Sequence, residues 1–194
     1  MKKLGIIKDW IKEGSKILVL GSGEGEILKI LGSEKKIRGF GIDIDEEKVC
    51  RAISNGLSVI QGDINSDLAD YPKKSFDYVI AHDIIQIMNN PDKTLKKCLE
   101  IGNKVIVSFP NFAYWRCRAG LFLGGRAPRT KKLPFKWYDT PNIHFMSLKD
   151  FEDFCGEIGA KIETKIPLLG NRRSPVKFAP NIFAEQAIYL TSRK

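Results

Sequence analysis

The sequence predicts an α/β domain built on a mostly parallel sheet. Three observations carry that prediction. Short apolar runs alternate with helical patterns over most of the chain, a glycine-rich turn follows the first apolar run, and two closing strands have no helical pattern between them. The 194 residues, 43% of them hydrophobic, suffice for one substantial core, and no Ser/Pro/Gly-rich stretch divides them, so one domain is expected over 1–194.

The elements follow in order. Leu4, Ile7, Trp10 and Ile11 recur at helical spacing and predict a helix ending near Gly14. Ile17 to Leu20 forms the first strand, and a helix carrying Ile27, Leu28 and Leu31 comes next, stopped by Gly32. The run IRGFGIDI is strand two. Asp45 then caps a helix whose apolar face is Val49, Ala52 and Ile53 and which Gly56 ends. LSVIQGD reads as strand three and FDYVIA as strand four. Pro91 suits the first turn of a helix with Leu95, Cys98, Leu99 and Ile101 on one face, and KVIVSF is strand five. From Pro110 to Met146 aromatic, basic, Gly and Pro residues mix without clean periodicity, which predicts an irregular lid over about 110–146. Ser147 and Asp150 form a capping-box pattern ahead of a helix presenting Leu148, Phe151, Phe154, Cys155 and Ile158. AKIETKI and AEQAIYLT are the last two strands. With no crossover helix between them they are expected to be antiparallel.

The turn after the first strand, GSGEG, decides what the domain holds. Gly21, Gly23 and Gly25 let a ligand approach the backbone, and the helix that follows offers free N–H groups and a positive dipole end to an anion. Glu26 occupies the third glycine position of the dinucleotide fingerprint GxGxxG, and no Gly-Lys-Ser/Thr of a P-loop is present. Asp43, 22 residues after Gly21, ends strand two where a carboxylate can accept from both hydroxyls of a ribose. Asp63 ends strand three, where it can accept from an adenine amine while Ile64 covers the ring. A backbone cradle, a diol acceptor and a purine-amine acceptor at three successive strand ends describe an adenosine with a short anionic tail. S-adenosylmethionine is that ligand, its carboxylate meeting the helix after Gly25.

The chain resembles the class I S-adenosylmethionine-dependent methyltransferases, and within them the MetW family of methionine biosynthesis. The broad part of the likeness is VLGSGEGE, GFGIDID and VIQGDI, and the specific part is SFDYVI, VIVSFPNFAYWRCR, LPFKWYDTPNIH and PNIFAEQAIYL. The resemblance implies a Rossmann-like sheet of seven strands, the last antiparallel, with helices on both faces. It also implies cofactor contacts at Gly21, Ser22, Gly23, Asp43, Ile44 and Asp63, and a link to homoserine acetylation. Gly25, Gly62, Ile64 and Asp83 complete the candidate cofactor residues. Two positions depart from the family: Val19 stands where an acid is usual and Ser22 where Cys is usual. Losing that acid removes one helper for the methionine end of the cofactor. Asp83, just beyond strand four, lies near enough in such a fold to assist.

Methyl transfer from a sulfonium asks the protein chiefly to position nucleophile and methyl, with a base only for a weak nucleophile. No universal catalytic residue is therefore expected. WYDTPNIH, on the segment after strand five, gathers the acceptor-side candidates His144, Tyr138 and Asp139, with His144, the one imidazole there, the candidate base.

Net charge is +9, and it is concentrated: no acid lies between Glu100 and Asp139, while Lys104, Arg116, Arg118, Arg126, Arg129, Lys131, Lys132 and Lys136 do. A carboxylate-bearing small-molecule acceptor or an acidic protein face fits such a segment. With the family's link to acetylation, the expected partner is homoserine O-acetyltransferase, met through Trp115, Arg116 and Trp137. Two readings stay open, a small-molecule methyltransferase and a non-catalytic cofactor-binding regulator of the acetyltransferase. RNA methylation is a lesser alternative, since aromatics interleaved with cations also suit a stacking groove but no separate RNA-binding module is visible. Cys50, Cys98, Cys117 and Cys155 form no CxxC pair and read as reduced thiols, so no metal is expected. The start MKKLGIIKDW has no apolar h-region and no 18-residue apolar run follows, which predicts a cytoplasmic protein without a membrane span.

Overall fold

The structure, a computed structural model, describes residues 2–170 and 174–194. The elements are α1 (Lys2–Trp10), β1 (Lys16–Leu20), α2 (Glu26–Lys35), β2 (Arg38–Asp43), α3 (Glu46–Ser54), β3 (Val59–Gln61), β4 (Phe76–His82), α4 (Pro91–Ile101), β5 (Gly102–Pro110), α5 (Trp115–Gly124), α6 (Leu148–Glu157), β6 (Ala160–Leu168), α7 (Pro180–Phe183) and β7 (Gln186–Arg193). One seven-stranded sheet has the order β3-β2-β1-β4-β5-β7-β6. The β1–β2, β1–β4, β2–β3 and β4–β5 pairs are parallel, and β7 runs antiparallel to both β5 and β6. This is the arrangement the sequence predicts, antiparallel last strand included.

Strand alternation divides the core into two layers, as the two-residue side-chain period requires. Leu18, Leu20, Val79, Ala81, Val105, Val107, Phe109 and Tyr189 pack on one face with Leu95, Cys98 and Leu99 of α4 and Phe151 and Cys155 of α6. Ile17, Val19, Tyr78, Ile80, Ile106 and Ile188 pack on the other with Ile7 of α1, Leu28 and Leu31 of α2 and Val49 and Ala52 of α3. Val19 is thus a core residue facing the α1–α3 layer, with no exposure to solvent. At α6 both halves of the capping box form: Ser147 Oγ accepts from Asp150 N and Asp150 accepts from Ser147 N. Asp45 caps α3 by accepting from Lys48 N.

Some expectations need correcting. Gly32 does not stop α2, which continues to Lys35 and closes with Lys36 in the left-handed conformation, its N–H donating to Gly32 O. A mid-helix glycine costs about 1 kcal/mol, and the burial of Leu28 and Leu31 outweighs it. Ile53 is exposed and does not join the buried face of α3. Pro110 to Met146 is not irregular throughout, because α5 occupies its first part. That helix lacks an apolar stripe, and only Cys117 of it is buried, so periodicity gives no sign of it. A further short helix, α7, lies between the last two strands, where no helical pattern is expected.

Candidate functional site

At the carboxyl ends of β1 to β4 lies an open cleft of about 520 Å³. Eight of the ten candidate cofactor residues border it: Gly21, Gly23, Asp43, Ile44, Gly62, Asp63, Ile64 and Asp83. Gly21 has φ +60°, and a Cβ there would come within 2.1 Å of Ile84 Cδ1, another cleft residue. The left-handed backbone favours glycine here, and any larger residue would also have to displace the end of the Ile84 side chain. Asp43 is buried, with Oδ2 accepting from Gly23 N at 2.7 Å and Oδ1 from Asp45 N at 3.0 Å. Each oxygen keeps one lone pair for a ligand. Asp63 Oδ1 accepts from Asn65 N at 2.8 Å and from Asn65 Nδ2 at 2.7 Å, while Oδ2 has no donor among the described residues. Ile44 and Ile64 give the rim apolar surface, Ile44 being 71% exposed.

Ser22 and Gly25 do not border the cleft. The Ser22 hydroxyl is buried without a partner among the described residues, under Gly41, where a Cβ would meet Ser22 Oγ at 2.5 Å. Gly25 is the left-handed N-cap of α2 and packs on Leu57. Asp45, Lys48, Asn65, His82, Ile87 and Met88 also border the cleft, and motif reading singled out none of them for binding. Four carboxylates, Asp43, Asp45, Asp63 and Asp83, line the cleft, against Lys48 as the single lining Lys or Arg. A chain of net charge +9 therefore keeps an acidic pocket, suited to a cationic ligand.

Asp83 sits at φ +52° just past β4, and Lys3 Nζ of α1 reaches both its oxygens at 2.6 Å. Ser108 Oγ of β5 donates to Asp83 Oδ1 at 2.9 Å. Burial pushes the Asp83 carboxyl up, but Lys3, His82 and the Ser108 hydroxyl outweigh it and hold the carboxyl below its ordinary value.

The acceptor-side candidates are placed apart from the cleft lining. His144 Nε2 lies 3.0 Å from Met88 O. A carbonyl only accepts, so Nε2 carries the proton and only Nδ1 could act as a base. His144 N and Ile143 N both donate to Gln86 O, so this stretch is tied to the turn that carries Ile87 and Met88 on the cleft rim. Tyr138 OH accepts from Lys136 Nζ at 2.7 Å, and Asp139 Oδ1 accepts from Lys136 N at 2.5 Å. Trp137 stacks edge-on against Tyr138 and is 78% exposed.

The basic segment is less uniform than its sequence. Lys104 lies on β5, paired with Glu163 at 2.5 Å, and so is separate from the other cations. Arg116, Arg118, Arg126, Arg129, Lys131, Lys132 and Lys136 form no salt bridge among the described residues, and Arg116 lies over Trp115 at 5.3 Å. Phe122 (89% exposed) and Leu123 (81%) extend the apolar surface that α5 presents to solvent. They were missed in the sequence because nothing marks an apolar residue as outward-facing in a helix without periodicity. The described residues contain no helix long and apolar enough to cross a membrane and no cluster of metal-ligating side chains. All four cysteines are free.

The sheet order, the reversed last strand and the cleft at the carboxyl ends of β1 to β4 define the class I methyltransferase fold. An S-adenosylmethionine-dependent methyltransferase from Mesorhizobium loti superposes with a TM-score of 0.74 over 100% of this chain and 98% of its own, at 12% identity. The cyclase SpnF superposes with a TM-score of 0.68 over 98% of this chain and 79% of its own, at 13% identity. The fold is shared by proteins named for different reactions.

The particular family is set by sequence. The profile described as Methionine biosynthesis protein MetW matches residues 2–191, and the chain belongs to that family. It is 30% identical over 200 residues to the bifunctional methionine biosynthesis protein MetXA/MetW of Rhodopirellula baltica, covering 97% of this chain. The chain spans 32% of the length of that relative.

Proposed function

We propose that this chain binds S-adenosylmethionine in the cleft at the ends of β1 to β4 and acts in methionine biosynthesis together with a homoserine O-acetyltransferase. The observation that carries the cofactor reading is the presence of Gly21 and Gly23, Asp43, and Asp63 in one acidic cleft, from three successive strand ends. The residues fit the group: a glycine cradle for its amino-acid end, the open lone pairs of Asp43 for the ribose diol, and Asp63 Oδ2 with Ile64 for the adenine. When bound, the cofactor supplies a methyl group on a positively charged sulfur. The chain's own part is to hold that group by hydrogen bonds and to exclude water at the rim with Ile44, Ile64 and Met88. Calorimetry with S-adenosylmethionine, S-adenosylhomocysteine and NAD tests this. Heat with the first two and none with NAD is expected; no heat with either sulfur nucleoside contradicts the reading.

The partner reading rests on the MetW family and on the relative whose name joins MetXA to MetW. The seven cations that form no salt bridge among the described residues and the exposed Trp115, Phe122, Leu123 and Trp137 supply charge and anchors for an acidic protein face. Phe112 to Tyr138 serves as the lid of the acceptor side and as the docking element. Surface charges are screened beyond about 8 Å at physiological ionic strength. Association with the acetyltransferase should therefore slow about tenfold or more between 0.05 and 0.5 M salt, roughly the span over which steering is lost. An association rate indifferent to salt would remove the charged segment from the interface.

A further inference from the structure

His82, Asp83, Ser108 and Lys3 form a hydrogen-bonded cluster beside the cleft, and the cofactor reading employs only Asp83. Ser108 Oγ lies 2.9 Å from Asp83 Oδ1, 3.1 Å from Asp83 N and 2.8 Å from His82 Nδ1. The serine has one hydroxyl hydrogen. Facing a carboxylate oxygen with a lone pair would be repulsive, so that hydrogen goes to Asp83. Ser108 Oγ then accepts from Asp83 N–H and from the ring, and Nδ1 of His82 carries the ring proton. Nε2 is left with its lone pair. It has no hydrogen-bond partner among the described residues, stands 3.8 Å from Asp83 Oδ2, and belongs to a ring that borders the cleft.

Burial lowers the His82 pKa from its usual value; Asp83 opposes this, while Lys3 and Lys132 add to it. That direction favours the neutral ring near pH 7. Lys3 already neutralises Asp83, so the pair has no net charge with which to hold an ammonium. What faces the cleft without a partner among the described residues is one neutral acceptor atom, Nε2 of His82, which can take one donor hydrogen.

We propose that His82 Nε2 is a second-ligand site in the cleft, accepting the hydrogen of the neutral hydroxyl group of a small molecule. This deepens the cofactor reading by assigning the rest of the cleft, and it rests on that reading for the neighbour it would have. The hydroxyl donates to Nε2, and Nε2 is the atom positioned to receive its proton. Asp83 and Ser108 are positioning residues that fix the ring's tautomer.

The test is nitrogen-15 NMR of the imidazole rings, of which the chain has two, assigned with a His144→Gln variant. At pH 7 the His82 ring should be neutral with the proton on Nδ1. L-homoserine should shift its Nε2 resonance, whereas L-2-aminobutyrate, which lacks the hydroxyl, should not. His82→Ala should weaken homoserine binding about tenfold, the loss of one hydrogen bond. A protonated ring, a proton on Nε2, or an Nε2 resonance that ignores homoserine overturns the proposal. A homoserine response in a chain that binds no S-adenosylhomocysteine leaves this site standing and removes the cofactor reading. Nucleoside binding without a homoserine response does the reverse.

Discussion

Asp43→Ala is expected to weaken S-adenosylhomocysteine binding by about 1.5–3 kcal/mol, roughly 10- to 150-fold, the range for hydrogen bonds to a charged group. The loss has two sources. The open lone pairs of Asp43 are removed from the ribose, and Gly23 N and Asp45 N lose the acceptors that hold the glycine turn against the end of β2. Asp43→Asn separates them, because its amide oxygen still accepts one N–H, and it should fall between alanine and native. Calorimetry on all three chains is the check. Unchanged affinity in Asp43→Ala would take the ribose away from this residue.

The second large effect is on stability. Asp83→Asn strands the Lys3 ammonium, whose side chain is 10% exposed, without its counter-charge. Removing one partner of a fully buried pair costs about 3–5 kcal/mol. Since the Asp83 side chain is 37% exposed, solvent screens the loss and about 2 kcal/mol is expected. Lys3→Met combined with Asp83→Asn should recover most of it, since the apolar side chain extends the packing of α1 against the sheet. Urea unfolding of the two variants measures this; equal destabilisation in both would mean that the charge pair is not the cause. The acid limb follows from the same group. The Asp83 carboxyl is held below its ordinary value in the fold, so in acid the unfolded chain binds its proton first. The stability Asp83 contributes is present above the ordinary carboxylate pKa of about 3.9 and is lost as pH falls through the lower folded value. Burial pulls Lys3 below its own ordinary value, which offsets part of that contribution near neutrality. Asp83→Asn should accordingly flatten the stability profile below about pH 4.

Where burial and period agree, the chain could be read directly. Ile17 to Leu20 belong to a central strand covered on both faces, and such strands are continuous apolar runs. That Gly21, Asp43 and Asp63 share one cleft was legible for a related reason: Asp43 ends β2, Gly21 and Asp63 follow β1 and β3 within two residues, and parallel strands bring their carboxyl ends to one edge. Ser22 is a contact that the family resemblance implies, yet the turn directs its hydroxyl under Gly41. His82 escaped notice because its significance lies in the Ser108 hydroxyl, 26 residues away, which fixes its tautomer. Lys3 is 80 residues from Asp83, and no local pattern announces such a pairing. Helix α5 was hidden by its lack of an apolar stripe, the same feature that leaves Phe122 and Leu123 in solvent.

We propose that this chain works as a cofactor-binding partner of a homoserine O-acetyltransferase. It is tested most directly by assaying homoserine acetylation by the acetyltransferase of the same organism, alone and with this chain, alongside size-exclusion of the mixture. A complex, an acetylation rate that changes when the chain is added, and loss of both in the Trp115→Ala/Phe122→Asp/Trp137→Ala variant are expected. No complex, an unaltered acetylation rate, and acceptor-dependent S-adenosylhomocysteine formed by this chain alone would contradict it.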